Sequence, residues 1–194
     1  MLVTRSASSA GFSIIELTVA LTIACILLAL GAPSVSGYLQ NARLGTMAQS
    51  FYGGLQTARA EAVKSNQSVA FVMTNTSLES STFSTVVPSA TGQNWWVYTL
   101  NPDGSPASAV ESKSTNSGEL GGVAISASSP TFIFTGLGAA SAAATSGISI
   151  TNPALGACTP AGPVRCWNVI VSVGGQIRLC SPDPSLNSRD SRAC

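Results

Sequence analysis

One ionisable side chain, Glu16, interrupts an otherwise apolar run from Phe12 to Ala32. A carboxylate in apolar surroundings costs on the order of a few kcal/mol, so it calls for a partner of opposite charge. Cutting the chain between Gly11 and Phe12 would create one. The new α-amino group of Phe12 lies four residues before Glu16, on the same helical face. A carboxylate there also favours the positive end of the helix dipole. The chemistry these residues can do is therefore charge neutralisation, within one chain or between chains packed side by side.

Composition removes much of the other chemistry. The 194 residues include no histidine, which excludes Ser/His/Asp and Cys/His catalysis and imidazole-based zinc sites. The head acids Glu79, Asp103, Glu111, Glu119, Asp183 and Asp190 show no paired spacing for carboxylate acid–base work. No pattern asks for a cofactor or a metal, and the close C-x-x-C pairs of a four-thiolate zinc site are missing. The expectation is that the chain is not an enzyme. Charged residues make up 9% and the net charge is +1, too little to draw nucleic acid or membrane by overall field.

Of the five cysteines, Cys25 sits in the apolar run, and Cys158, Cys166, Cys180 and Cys194 lie near the end. An even number in an exported region reads as disulfides. Three pairings are open on sequence alone. The short Pro- and Gly-rich loops favour Cys158–Cys166 and Cys180–Cys194.

The elements that must position these residues follow from periodicity. About 21 apolar residues at ~1.5 Å each match a hydrocarbon core of ~30 Å, so residues 12–36 are expected to cross a membrane. Arg5, with no acid beside it, keeps the leader 1–11 cytoplasmic and sends the rest out. Pro33 is expected to kink the helix rather than end it. Leu44, Met47, Phe51, Leu55, Ala58 and Ala62 recur at spacings of three and four, which predicts an amphipathic second half over 37–66. A β-rich head is expected over 67–194. Its strands are expected at Ser68–Thr74, Trp95–Leu100, Gly122–Ser126, Thr131–Phe134, Gly147–Thr151, Val164–Val173 and Gln176–Cys180, the last two joined by a two-residue Gly174–Gly175 turn. The Ser-, Thr- and Gly-rich segments 75–93, 101–121 and 136–146 read as long loops, either binding surfaces or decoration. Alternation puts one of Trp95 and Trp96 in the core and leaves the other partly exposed, a candidate neighbour contact.

The N-terminal pattern, Gly11, Phe12, Glu16, an apolar helix and Pro33, resembles the class III signal of type IV pilins and type II secretion pseudopilins. That resemblance implies a prepilin peptidase cutting after Gly11, methylation of Phe12, and Glu16 as the assembly residue. Two blander readings compete. One is a secretory signal peptide cut near Ala29–Gly31, which such an acid argues against. The other is a plain anchor with an idle Glu16.

Further along, Gln56, Ala58, Arg59, Glu61, Ala62, Lys64 and Asn66, then Phe132, Phe134 and Gly136, resemble the GspH/FimT minor-pilin and pseudopilin family, including FimU-type minor pilins. So do Val169, Val171, Gly175, Arg178, Leu179 and Cys180, and Asp190, Arg192, Ala193 and Cys194 at the end. The resemblance implies an α+β pilin fold, a long N-terminal helix under an antiparallel sheet. It also implies residence in the bacterial inner membrane with the head in the periplasm, then in a fibre at the cell surface. Its expected partners are other minor and major pilins, the prepilin peptidase and the inner membrane. The expected function is a minor pilin that initiates or tips a type IV pilus, with pseudopilin H of a type II secretion system as an alternative.

A second alternative is DNA capture for natural transformation, because some FimT-type members bind DNA through basic residues near the C-terminal hairpin. Arg178, Arg189 and Arg192 would be the contacts here. Those members tend to carry Gly-Arg-x-Arg, whereas this chain reads Gly175, Gln176, Ile177, Arg178. A solvated, disulfide-pinned tail is the preferred reading of these arginines.

Overall fold

A computed structural model of the chain describes residues 13–78, 82–115, 122–141, 145–187 and 189–194, with the side chains of 29–35 left aside. Helix α1 runs Ile14–Ser65 without a break, so Pro33 does not end it. It stops where expected. Asn66 takes a left-handed φ of 51°, and the Gln67 N–H donates to the Ala62 carbonyl at 3.3 Å, a Schellman closure. The chain divides into two compact units at Tyr38/Leu39, so the second half of α1 belongs with the head.

The predicted helix stripe is the centre of that head. Leu44, Met47, Phe51, Leu55, Ala58 and Ala62 are all buried, whereas Arg43, Gln49 and Lys64 are exposed. Among the described residues eight strands follow: β1 Val69–Thr74, β2 Asn94–Leu100, β3 Pro106–Lys113, β4 Ala124–Ala127, β5 Thr131–Phe134, β6 Ser146–Thr151, β7 Trp167–Val171 and β8 Ile177–Cys180. They form two antiparallel four-stranded sheets, in the orders β3-β2-β1-β5 and β4-β6-β7-β8. The expected α+β arrangement, a long helix packed on antiparallel sheet, is thus built with two sheets, and the stripe shares one core with both.

Alternation decides which side chains meet the helix. Phe71, Met73, Trp95, Val97, Phe132 and Phe134 come from the first sheet, and Ile148, Ile150, Val169, Val171 and Ile177 from the second. Phe71 is the hub, with ring centroids 6.2 Å from Phe51, 5.4 Å from Trp95 and 6.2 Å from Phe132. The Trp95 indole N–H donates to Ser50 Oγ at 3.1 Å, so the buried ring keeps its polar atom paired. Gly54 lets helix and sheet approach. A Cβ there would stand 2.7 Å from Phe71 and 2.9 Å from Trp95.

The outer face of the first sheet has its own small core. Ala70, Val72 and Tyr98 are buried there under Phe83 and Val86. Segment 82–93 is therefore a packed cover, stitched down by Ser89 N–H to the Met73 carbonyl and by Ala127 N–H to the Ala90 carbonyl, each 2.8 Å. Trp95 is core and Trp96 half-buried, with its ring 6.4 Å from Phe83. Part of segment 101–121 is a strand, β3, rather than loop. Its mostly exposed face, its opening proline and its charges Glu111 and Lys113 suit an edge that pairs only with β2.

The last hairpin differs in detail from a two-residue turn. Ser172 N–H donates to the Gln176 carbonyl at 2.9 Å, and Gly175 N–H to the Ser172 carbonyl at 2.8 Å. This encloses three residues, with Gly175 alone at positive φ, 76°. The arrangement is a type I turn followed by a bulge. A Cβ on Gly175 would also collide with the Gly138 carbonyl oxygen.

The helix–sheet approach makes a paired prediction. Gly54→Val should destabilise the head by about 1–3 kcal/mol through overpacking. Gly53→Val, whose Cβ meets nothing within 4 Å, should stay within about 0.5 kcal/mol. Thermal melts of both variants in detergent, followed by near-UV circular dichroism, check the difference.

Candidate functional site

Glu16 lies in the first turn of α1, where its charge suits the helix dipole. Gly11 and Phe12 lie outside the described residues. Around Glu16 the helix shows apolar side chains on every side. Ile14 is 84% exposed and Leu28 73%, and Leu17, Leu21 and Leu27 are exposed as well. The two hydroxyls of the stretch fold back on the helix: Thr18 Oγ1 donates to the Ile15 carbonyl at 2.9 Å and Thr22 Oγ1 to the Val19 carbonyl at 2.8 Å. That closure lets a hydroxyl sit in apolar surroundings. Glu16 remains the one ionisable carboxyl of the stretch, with no hydrogen-bond or ionic partner among the described residues. Cys25 is a free, exposed thiol.

Among the described residues, no helix is long and apolar enough to cross a membrane. The apolar run with described side chains, Ile14 to Leu28, is fifteen residues. That is roughly 22 Å at ~1.5 Å each, short of a ~30 Å core. The crossing expected over 12–36 rests on the sequence, which continues apolar to Ala32.

The structure pairs Cys158 with Cys166 (Cα–Cα 5.5 Å) and Cys180 with Cys194 (Cα–Cα 5.1 Å). Sequence reading missed what anchors the first loop, namely Asn41 on α1. Its Nδ2 donates to the Pro163 carbonyl at 3.2 Å, and its Oδ1 accepts the Arg165 N–H at 2.8 Å. Asn94 was missed too. It is buried, donates to the Thr76 carbonyl at 2.9 Å and accepts the Thr115 N–H at 2.8 Å, fastening two of the long segments to β2. Arg59 ties α1 to the loop after β5 through Nε to the Gly138 carbonyl, 3.1 Å.

The C-terminal arginines are used mostly within the chain. Ser181 N–H donates to the Arg192 carbonyl at 2.7 Å and Cys194 N–H to the Ser181 carbonyl at 3.2 Å, so the tail lies along the end of β8. Arg178 Nη2 donates to the Ala193 carbonyl at 3.2 Å. Arg192 grips Asp190 with a two-pronged contact, Nε to Oδ1 at 3.0 Å and Nη2 to Oδ2 at 2.7 Å. Its side-chain hydrogen bonds, then its backbone N–H and its charge, hold the Asp190 carboxyl down at about 2. Only Arg189 of the three has an exposed side chain with no partner among the described residues. One such cation gives weak, salt-sensitive phosphate binding.

The family model for the type II transport protein GspH matches residues 47–175. Among solved structures the chain is similar to the type IV minor pilin FimU of Pseudomonas aeruginosa PAO1. The identity is 15%, over 73% of this chain and 91% of that one, with a TM-score of 0.50. It is also similar to the minor pseudopilin EpsH from the type 2 secretion system of Vibrio cholerae, at 16% identity over 72% of this chain and 98% of that one, TM-score 0.48. The likeness to FimU shows the fold. No curated protein sequence matches the chain.

The Asp190–Arg192 pair predicts an acid-dependent tail. Because the folded carboxyl lies near 2 against an ordinary 3.8, the contact helps order the tail above about pH 4 and is lost as pH falls toward 2. An NMR pH titration should show the Arg192 Hε resonance moving in that window in the unmodified chain, and no such step in Asp190→Asn.

Proposed function

Because the chain belongs to the GspH family, and so is a minor pilin or pseudopilin, we propose that it is a minor pilin of a type IV pilus, initiating or tipping the fibre. Its role in this reading is structural, not catalytic. The observation that carries the reading is the first half of α1, an apolar helix exposed on all sides with Glu16 in its first turn. Such a helix needs lipid before assembly and the helices of other pilins after it. Its acid needs a cation in either place.

The sequence of events follows from those needs. The helix lies in the inner membrane with the head in the periplasm. A prepilin peptidase cuts between Gly11 and Phe12, and the freed, methylated amine faces Glu16 of its own or a neighbouring chain. Neutralising the carboxylate removes its cost in the apolar fibre core. The disulfide-closed, arginine-bearing tail favours a pilus over a secretion pseudopilin. The internal use of Arg178 and Arg192 argues against DNA capture.

The test is incorporation. Glu16→Ala should still be processed and membrane-bound but should be depleted at least tenfold from sheared fibres, as read by immunoblot against the major subunit. Unchanged incorporation would sink the assembly role of Glu16.

A further inference from the structure

A cleft of about 540 Å³ opens at the start of the head, between α1 and the end of β3. Leu39, Ala42 and Met47 give its lining apolar surface, Arg43 and Lys113 give it charge, and Thr46, Ser50, Ser114 and Thr115 line the rest. Both cations are exposed, and neither forms an ion pair among the described residues. Glu111, two residues before Lys113 on the same strand, is exposed and also makes no ion pair among the described residues. On another side of the helix, Asn41 holds the backbone of Arg165, whose side chain is exposed. Just before the cleft in sequence stands Tyr38, 74% exposed.

An apolar and cationic lining, with a tyrosine next to it in sequence, has the chemistry of a membrane–water interface. Long basic side chains lay their stems on apolar surface and their charge on lipid phosphate, and tyrosine prefers headgroup depth. We propose that this cleft receives an anionic phospholipid headgroup. The phosphate sits between Arg43 and Lys113, the glycerol and first acyl carbons lie on Leu39, Ala42 and Met47, and Arg165 meets a second headgroup. A duplex phosphate backbone could use the two cations but would leave the apolar part of the lining bare.

The proposal rests on the membrane-anchored reading above and adds to it. At ~1.5 Å each, the 27 residues from Phe12 to Tyr38 would as helix match the ~40–45 Å of a bilayer with its headgroup layers. Lipid phosphates then come level with the residues that follow Tyr38. The contact seats the unassembled head on the bilayer, and entry into a fibre must release it.

The experiment uses the full chain in nanodiscs of phosphatidylcholine alone or with about one-third phosphatidylglycerol, followed by backbone hydrogen exchange. Phosphatidylglycerol should slow exchange at 113–115 and 164–166. Each engaged cation should contribute roughly a fivefold change in the docked-to-free ratio, and about 0.5 M salt should erase the effect. Arg43→Gln with Lys113→Gln should lose the increment at 113–115. Equal exchange in both discs, or an increment that survives the double substitution, overturns the proposal while leaving the anchor intact. The same slowing by free glycerol phosphate or duplex DNA in phosphatidylcholine discs overturns the assignment to lipid. A chain that fails to enter discs of either composition overturns the anchored reading, and the proposal with it.

Discussion

The head depends on a single contact, the seating of one helical stripe, Leu44 to Ala62, in the inner faces of two sheets at once. The stripe and the inner faces of both sheets bury one another in a single cluster. Each large side chain so buried contributes on the order of 1.5–3 kcal/mol of transfer free energy, which is why the alternation in β1, β2, β5, β6 and β7 is kept where it faces the helix. Gly54 sets the distance of approach, and Phe71 gathers the aromatic rings beneath it. Asn41, Arg59 and Ser50 then fasten loops and a strand to the same helix with hydrogen bonds.

The same helix carries an opposite condition in its first half. Among the described residues, nothing covers the apolar side chains of Ile14 to Leu28 and no counter-charge pairs with Glu16. A helix that satisfies one end within its own chain and leaves the other exposed fits the assembly role proposed above. In the function proposed above, the physical route is a change of surroundings, from lipid to other helices, with the carboxylate neutralised on the way. The tail shows the reverse economy: Arg178 and Arg192, which could have reached outward, close on Ala193 and Asp190 instead.

Much of this could be read from residue order because two signals were strong. The three–four spacing from Leu44 to Ala62 located the buried face, and the β-branched and aromatic runs located β1, β2, β5, β6 and the core of β7. The edge strand β3 could not be read, since Pro106-Ala-Ser-Ala-Val-Glu-Ser-Lys113 lacks both alternation and β-branched density, and pairing with β2 alone holds it. Segment 82–93 looked like decoration because its two apolar anchors, Phe83 and Val86, are isolated in sequence and gain meaning only over Ala70, Val72 and Tyr98. Gly174–Gly175 signalled a turn but not which glycine takes positive φ, so the three-residue loop was out of reach. Asn41 and Asn94 fasten residues far away in sequence, a signal no local pattern carries. Asp190 and Arg192 were a local signal that went unused: an acid and an arginine two residues apart beside a terminal cysteine can close on each other.

The central claim is that proteolysis supplies a cation for Glu16. Intact mass and N-terminal sequencing of the chain isolated from its native membrane test it most directly. The account predicts a polypeptide that begins at Phe12 with one methyl group on its amine. A chain that still begins at Met1, or one that begins near Ala32 after loss of the apolar helix, would contradict it.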